Sequence, residues 1–323
     1  MFDFISFLVV IFIVFIVVTI VIKMALSPIN RKRRLKNLPI PDHLGIQMEG
    51  ELPIVQTLDK ALSSSYVDNV KNRVLKEHPK WADHEFEWTF FEMKRYFIMN
   101  GLLKTVPMFS ARVDDIWHEM LMFTREYEKF SKEFYHEILH HTPNMDSTPI
   151  PGERAFFDWV YLSLFEPTPN SRSIWGVFLQ NPVKREILDD FRNLSEEDLL
   201  SKYFRKSEDW LEVKRRLINK MKFEITQSDH IKLRKNSVDI PRTTSETQIY
   251  NYALGAAIFY SIYEEDQFQD HMSELLPGEY YKASHSGSGS SCSGFACSSS
   301  SDHHSGGDSG GSSCSSCGGG CSS

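Results

Sequence analysis

Cysteine is absent from the whole body of this 323-residue chain: Cys292, Cys297, Cys314, Cys317 and Cys321 all fall at its C-terminal end. A body without cysteine cannot be a disulfide-stapled scaffold. Basic runs are scarce as well. Arg31-Lys32-Arg33-Arg34 is the one cluster and the net charge is -7, which argues against a nucleic-acid binder, since such proteins carry a basic face to meet phosphates. No glycine-rich phosphate loop occurs, so that common route to phosphoryl transfer has no sequence support. Strand signals are sparse; Phe223–Thr226 is the best candidate, and it reads equally well as an extended linker.

What is present falls into four parts. Residues 1–26 hold an uncharged run from Phe4 to Ile22, in which Ser6 and Thr19 are the only polar members. As a helix it covers roughly 28 Å, close to the ~30 Å hydrocarbon core of a bilayer. A single N-terminal transmembrane helix is therefore expected, with the lipid bilayer as a partner. Lys23 and the basic cluster follow the run and nothing basic precedes it, so the positive-inside rule predicts the N-terminus outside and the C-terminal body in the cytoplasm. Residues 27–53 read as a basic juxtamembrane segment and linker, from Pro39, Pro41, Gly45, Gly50 and Pro53.

Residues 54–282 carry the periodicity of a multi-helix soluble domain, and the fold class is all-α. Phe86, Phe90, Met93 and Phe97 recur at helical spacing and mark one buried face after an N-cap at Asp83. Ser110 caps a helix holding Val113, Ile116, Trp117 and Met120. A further helix through Tyr127, Phe130 and Phe134 is predicted to run on to His141 and stop at Pro143. More helices are expected at about 153–165, 182–193, 196–204 and 208–222, with capping-box spacing at Ser195/Asp198 and Ser245/Gln248. A break near 144–182 would divide the domain in two. Residues 283–323 are almost wholly Ser, Gly, Cys and His and hold ten of the 17 glycines; such a segment cannot offset its ordering entropy by burial and is predicted to be disordered.

The densest set of functional residue types lies at 113–130, Val-Asp-Asp-Ile-Trp-His-Glu-Met-Leu-Met-Phe-Thr-Arg-Glu-Tyr-Glu-Lys-Phe, closing with Leu-His-His-Thr-Pro at 139–143. Asp114 and His118 are one helical turn apart and share a face. The string resembles the signature of the glycine-rich-domain-containing-protein-like family, long carried as a domain of unknown function, over about residues 80–145. Val113, Asp114, Trp117, His118, Phe123, Thr124, Tyr127, Phe130, His140, His141 and Pro143 carry the resemblance. Ser131 and Phe134-Tyr135 depart from it, where the family tends to have Cys and Phe-Gly. The resemblance implies a helical fold and no particular reaction.

These observations leave several functions open. The first is a membrane-anchored cytoplasmic helical protein acting as an interaction module, with a protein partner at the cytoplasmic membrane face. The second is a metal-binding protein that uses Asp114, His118, His140 and His141, the tail thiols Cys314, Cys317 and Cys321, or both; zinc is the leading transition metal, because imidazole, thiolate and carboxylate are its usual ligands. The third is an enzyme of unrecognised type, for which no catalytic residue is assigned. Trp117, Tyr127, Phe130 and Pro143 are read as structural members of the motif. Glu133-x-x-His136 and Glu137-x-x-His140 have the spacing of helical di-iron ligands, but a solvated polar stripe explains them without a metal.

Overall fold

The computed structural model describes residues 34–47, 52–141, 151–234, 246–281 and 295–298. They are mostly helical. The chain opens with an arm over 34–47 that contains a short 3-10 turn, Asp42–Gly45. There follow α1 (Leu52–Ala61), α2 (Ser64–Glu77), α3 (Asp83–Leu102), β1 (Thr105–Met108), α4 (Ala111–Leu121) and α5 (Thr124–Tyr135). The second half holds α6 (Pro151–Leu164), α7 (Pro169–Trp175), α8 (Arg185–Asn193), α9 (Glu196–Tyr203), α10 (Leu211–Arg234), α11 (Glu246–Tyr263), α12 (Phe268–Leu275) and α13 (Gly278–Tyr281). One contiguous apolar core runs from Leu35 to Tyr280 through both halves.

Three readings of the sequence are corrected here. Among the described residues no helix is long and apolar enough to cross a membrane, so the single-pass assignment, the bilayer partner and the orientation built on it are not carried forward. The expected span, 4–22, lies outside the described residues. The long helices that are described have globular character: α10 carries Lys214, Arg215, Arg216, Lys220 and Lys222, and α11 is 18 residues long and starts at Glu246, against the ~20 apolar residues a span needs. The strand candidate at Phe223–Thr226 is helical, inside α10. The helix through Tyr127 ends at Tyr135, well before His141. The expected linker is described from Arg34 to Gln47, where it is packed on the helices.

Helix α3 organises the fold. Its predicted single stripe understates its burial: Trp88, Phe91, Tyr96 and Ile98 are buried alongside Phe86, Phe90, Met93 and Phe97, as in a helix that is hydrophobic all round. Two charged residues, Glu92 and Arg95, lie at its centre with no exposure. The Glu92 carboxylate accepts from Tyr161 Oη at 2.7 Å, Ser171 Oγ at 2.7 Å and Trp175 Nε1 at 2.8 Å. Arg95 Nη1 reaches Glu92 Oε1 at 3.3 Å; its Nε donates to the Leu44 carbonyl and its Nη2 to the Glu166 carbonyl, each at 2.9 Å. This hub ties the arm, α3, α6 and α7 together. Ser171 reaches it from a reciprocal cap, in which Thr168 and Ser171 each accept the other's backbone N–H and Pro169 opens the helix.

The arm is fixed by the same logic. Lys36 N–H donates to Asn170 Oδ1 and Asn170 Nδ2 returns a bond to the Lys36 carbonyl, both at 2.8 Å. Trp88 Nε1 donates to the Leu38 carbonyl. Gly45 sits at φ +56°, and a Cβ there would stand 2.7 Å from Arg95 Nη2; only glycine meets both the left-handed backbone and the close approach of the guanidinium.

The one sheet among the described residues is a two-stranded antiparallel pair, β1 with β2 (Phe295–Ser298), in which Thr105 faces Ser298 and Met108 faces Phe295. The segment predicted to be disordered thus supplies a strand; the rest of 283–323, including Cys314, Cys317 and Cys321, lies outside the described residues. Pro107 offers no N–H to that ladder, which suits a strand at an edge.

Candidate metal centre

Helix α4 builds one side of the site. Ser110 Oγ accepts the Val113 N–H at 3.3 Å, the cap expected from the sequence. Val113, Ile116, Trp117 and Met120 then turn inward and are buried. Asp114 borders that face and is buried; His118, one turn on, keeps half its side chain exposed.

Helix α5 builds the other. Tyr127, Phe130 and Phe134 pack inward, and the helix stops where His136 takes a left-handed conformation, φ +61°. The chain then runs back toward α4. The Tyr127 hydroxyl accepts from Trp117 Nε1 at 3.0 Å and donates to the Leu139 carbonyl at 2.6 Å. That second bond holds the returning segment two residues before His141. The His141 ring lies 4.4 Å from Trp117, tilted by 26°, and 4.9 Å from the parallel ring of His118.

This arrangement brings three ligand types together. His141 Nε2 is 2.8 Å from Asp114 Oδ1, and His118 Nδ1 is 3.8 Å from Asp114 Oδ2. One nitrogen or oxygen from each of Asp114, His118 and His141 lies within 4.8 Å of the others. The Asp114 and His141 side chains are 7% and 3% exposed, whereas His118 faces solvent, so the cluster is walled on the protein side and open on one face. Two imidazoles and a carboxylate suit zinc, iron and other divalent transition ions better than calcium or magnesium.

Not every candidate joins. His140 is exposed and stands outside the cluster. Pro143 lies outside the described residues. Because α5 ends at Tyr135, Glu133, His136, Glu137 and His140 do not share one helix face: His136 pairs with Asp209 at 3.5 Å and Glu137 with Arg205. Sequence reasoning also passed over the Glu92–Arg95 pair, whose signal was two charges three apart inside an apolar helix, and Lys214. Lys214 is buried; its Nζ donates to the carbonyls of Arg205 at 3.1 Å and Ser207 at 2.8 Å, and burial pushes its ammonium down to about 8.

A family model described as UCP032817-like matches residues 52–148. That span contains α1 to α5 and the returning segment, so Asp114, His118 and His141 all fall within it. The match does not carry the glycine-rich-domain description to which the sequence signature pointed. No curated protein and no solved structure matches the chain.

Proposed function

We propose that the protein binds a divalent transition metal, zinc foremost, through Asp114, His118 and His141. The observation that carries this reading is the convergence of their ligand atoms to within 4.8 Å on a wall formed by Trp117 and Tyr127. First-shell zinc bonds are about 2.0–2.2 Å for nitrogen and oxygen, so ligand atoms of one site stand roughly 3–3.5 Å apart. The cluster needs only a small contraction, and His118, half exposed, is its solvent-facing member. Three protein ligands and an open face leave a coordination position for water, the pattern of sites that act on something rather than merely staple the fold. Trp117 and the Tyr127–Leu139 bond orient the His141 ring in the way outer partners do around metal ligands.

A structural reading has its own support: the 2.8 Å contact between the buried Asp114 and His141 side chains pins the returning segment to α4 without any ion. Elemental analysis separates the two. The full chain, with Cys292, Cys297, Cys314, Cys317 and Cys321 changed to serine to remove the tail thiols, should carry about one equivalent of metal. Asp114→Asn, His118→Ala and His141→Ala should each abolish it, and His140→Ala should not. A metal-free protein after purification in zinc-supplemented buffer, or retention of metal by the triple variant, refutes the proposal.

A further inference from the structure

A second site stands apart from the histidine cluster. A cleft of about 480 Å³ opens where the end of α3, the end of α5 and the loop between α9 and α10 meet. Its volume lies in the range of small-molecule sites. Lys104, Arg205 and Lys206 line it against two carboxylates, Glu137 and Asp209. Both carboxylates are engaged at the rim: Glu137 pairs with Arg205 and Asp209 with His136. The exposed ammonium of Lys206 thus leaves positive charge in excess.

The walls carry backbone strain. His136 at φ +61° and Trp210 at φ +58° both line the cleft. A bulky residue held left-handed is an outlier that costs free energy, and at position 210 the fold keeps a half-buried indole there. Lys214 braces the same loop from behind through the Arg205 and Ser207 carbonyls. A braced loop that holds a strained tryptophan beside one surplus cation has the composition of a site for a charged ring: aromatic faces stack on planar ligands, and an ammonium group takes the anion.

We infer that this cleft binds a small anion joined to a planar ring, the chemistry of a nucleoside monophosphate, with Trp210 as the stacking surface and Lys206 on the anion. Isothermal titration of the full chain with adenosine monophosphate, inorganic phosphate and adenosine tests it. The monophosphate should bind at least about tenfold more tightly than either fragment, since one stacked ring is worth about that factor or more. Lys206→Glu lies on the surface and should weaken binding without touching the fold. Trp210→Gly removes the stacking ring and should abolish binding; because the same indole packs against the core, Trp210→Phe, which keeps an aromatic face, is the control and should retain most of the affinity. Binding should survive chelator, because the site is separate from the histidine cluster. Absence of saturable heat, equal affinity for free phosphate, unchanged binding by Trp210→Gly, or loss of binding with chelator would each overturn the inference.

Discussion

Replacing Glu92 by glutamine tests the reasoning about the buried hub most sharply, because it preserves shape and removes only charge. Four donors converge on the carboxylate. Tyr161 and Trp175 meet Oε2, and Ser171 and Arg95 meet Oε1. Glutamine can keep its oxygen toward Trp175, whose N–H cannot turn round, and point its amide at Ser171, whose hydroxyl can. Most hydrogen bonds are therefore recoverable. The counter-charge of Arg95 is not, and Arg95 has no exposure. Breaking a buried pair from one side costs ~3–5 kcal/mol. At about 2–4 °C per kcal/mol for a body of this size, the melting temperature should fall by roughly 10 °C. Urea unfolding followed by tryptophan fluorescence and circular dichroism measures the loss. Arg95→Met should be comparably harmful, because it strands the Leu44 and Glu166 carbonyls, and the double variant should lose well under the sum. A loss below about 1 kcal/mol for Glu92→Gln, or strict additivity, would show that the two residues are not coupled in the way their geometry requires.

Gly45→Ala should destabilise by more than about 2 kcal/mol in chemical unfolding, since the new Cβ meets both a left-handed backbone and the fixed Arg95 guanidinium; a neutral result would mean the arm is free to shift. Tyr127→Phe removes the acceptor of Trp117 Nε1 and the donor to Leu139, and should cost ~1–3 kcal/mol; it should also weaken zinc binding measured by competition with a chromophoric chelator, and unaltered affinity would detach the tyrosine from the site. Lys214 holds its proton less tightly in the fold, about 8 against 10.5. Between those values the unfolded chain binds more protons, so this residue makes stability rise with pH from about 8 to 10.5. Lys214→Met should flatten that rise in urea titrations across the window, and an identical slope in both proteins would contradict the assignment.

How far the sequence could be read depended on how local the cause was. The inward stripe of α4 and its Ser110 cap follow from residues within a turn of each other, and both were legible. The end of α5 was not. Nothing next to His136 demands a left-handed residue; the tether from Tyr127 to Leu139 and the pairing of His136 with Asp209 are contacts from elsewhere in the fold. That hidden turn also decided between His140 and His141. In extended chain, side chains alternate; with Leu139 buried, His141 shares its side and His140 points away, a distinction a continuous helix would have drawn differently. Phe223–Thr226 shows the same limit from the other direction, because aromatic and β-branched preferences were outweighed by the packing of α10, in which Ile225 of this stretch is buried. The Glu92–Arg95 pair was visible as an anomaly, but its meaning rests on Tyr161, Ser171 and Trp175, which are more than sixty residues away.

The packed arm carries a practical consequence for cutting the molecule. The family match starts at residue 52, which makes that position the natural place to trim a fragment. Yet Leu35 and Leu44 are buried in the core, and the Leu38 and Leu44 carbonyls take the protons of Trp88 and Arg95. A fragment starting at 52 would expose the apolar bed of the arm and leave a buried cation short of an acceptor. Homology and foldability thus draw different left-hand borders on this chain, and a fragment meant to stand alone has to begin before Leu35.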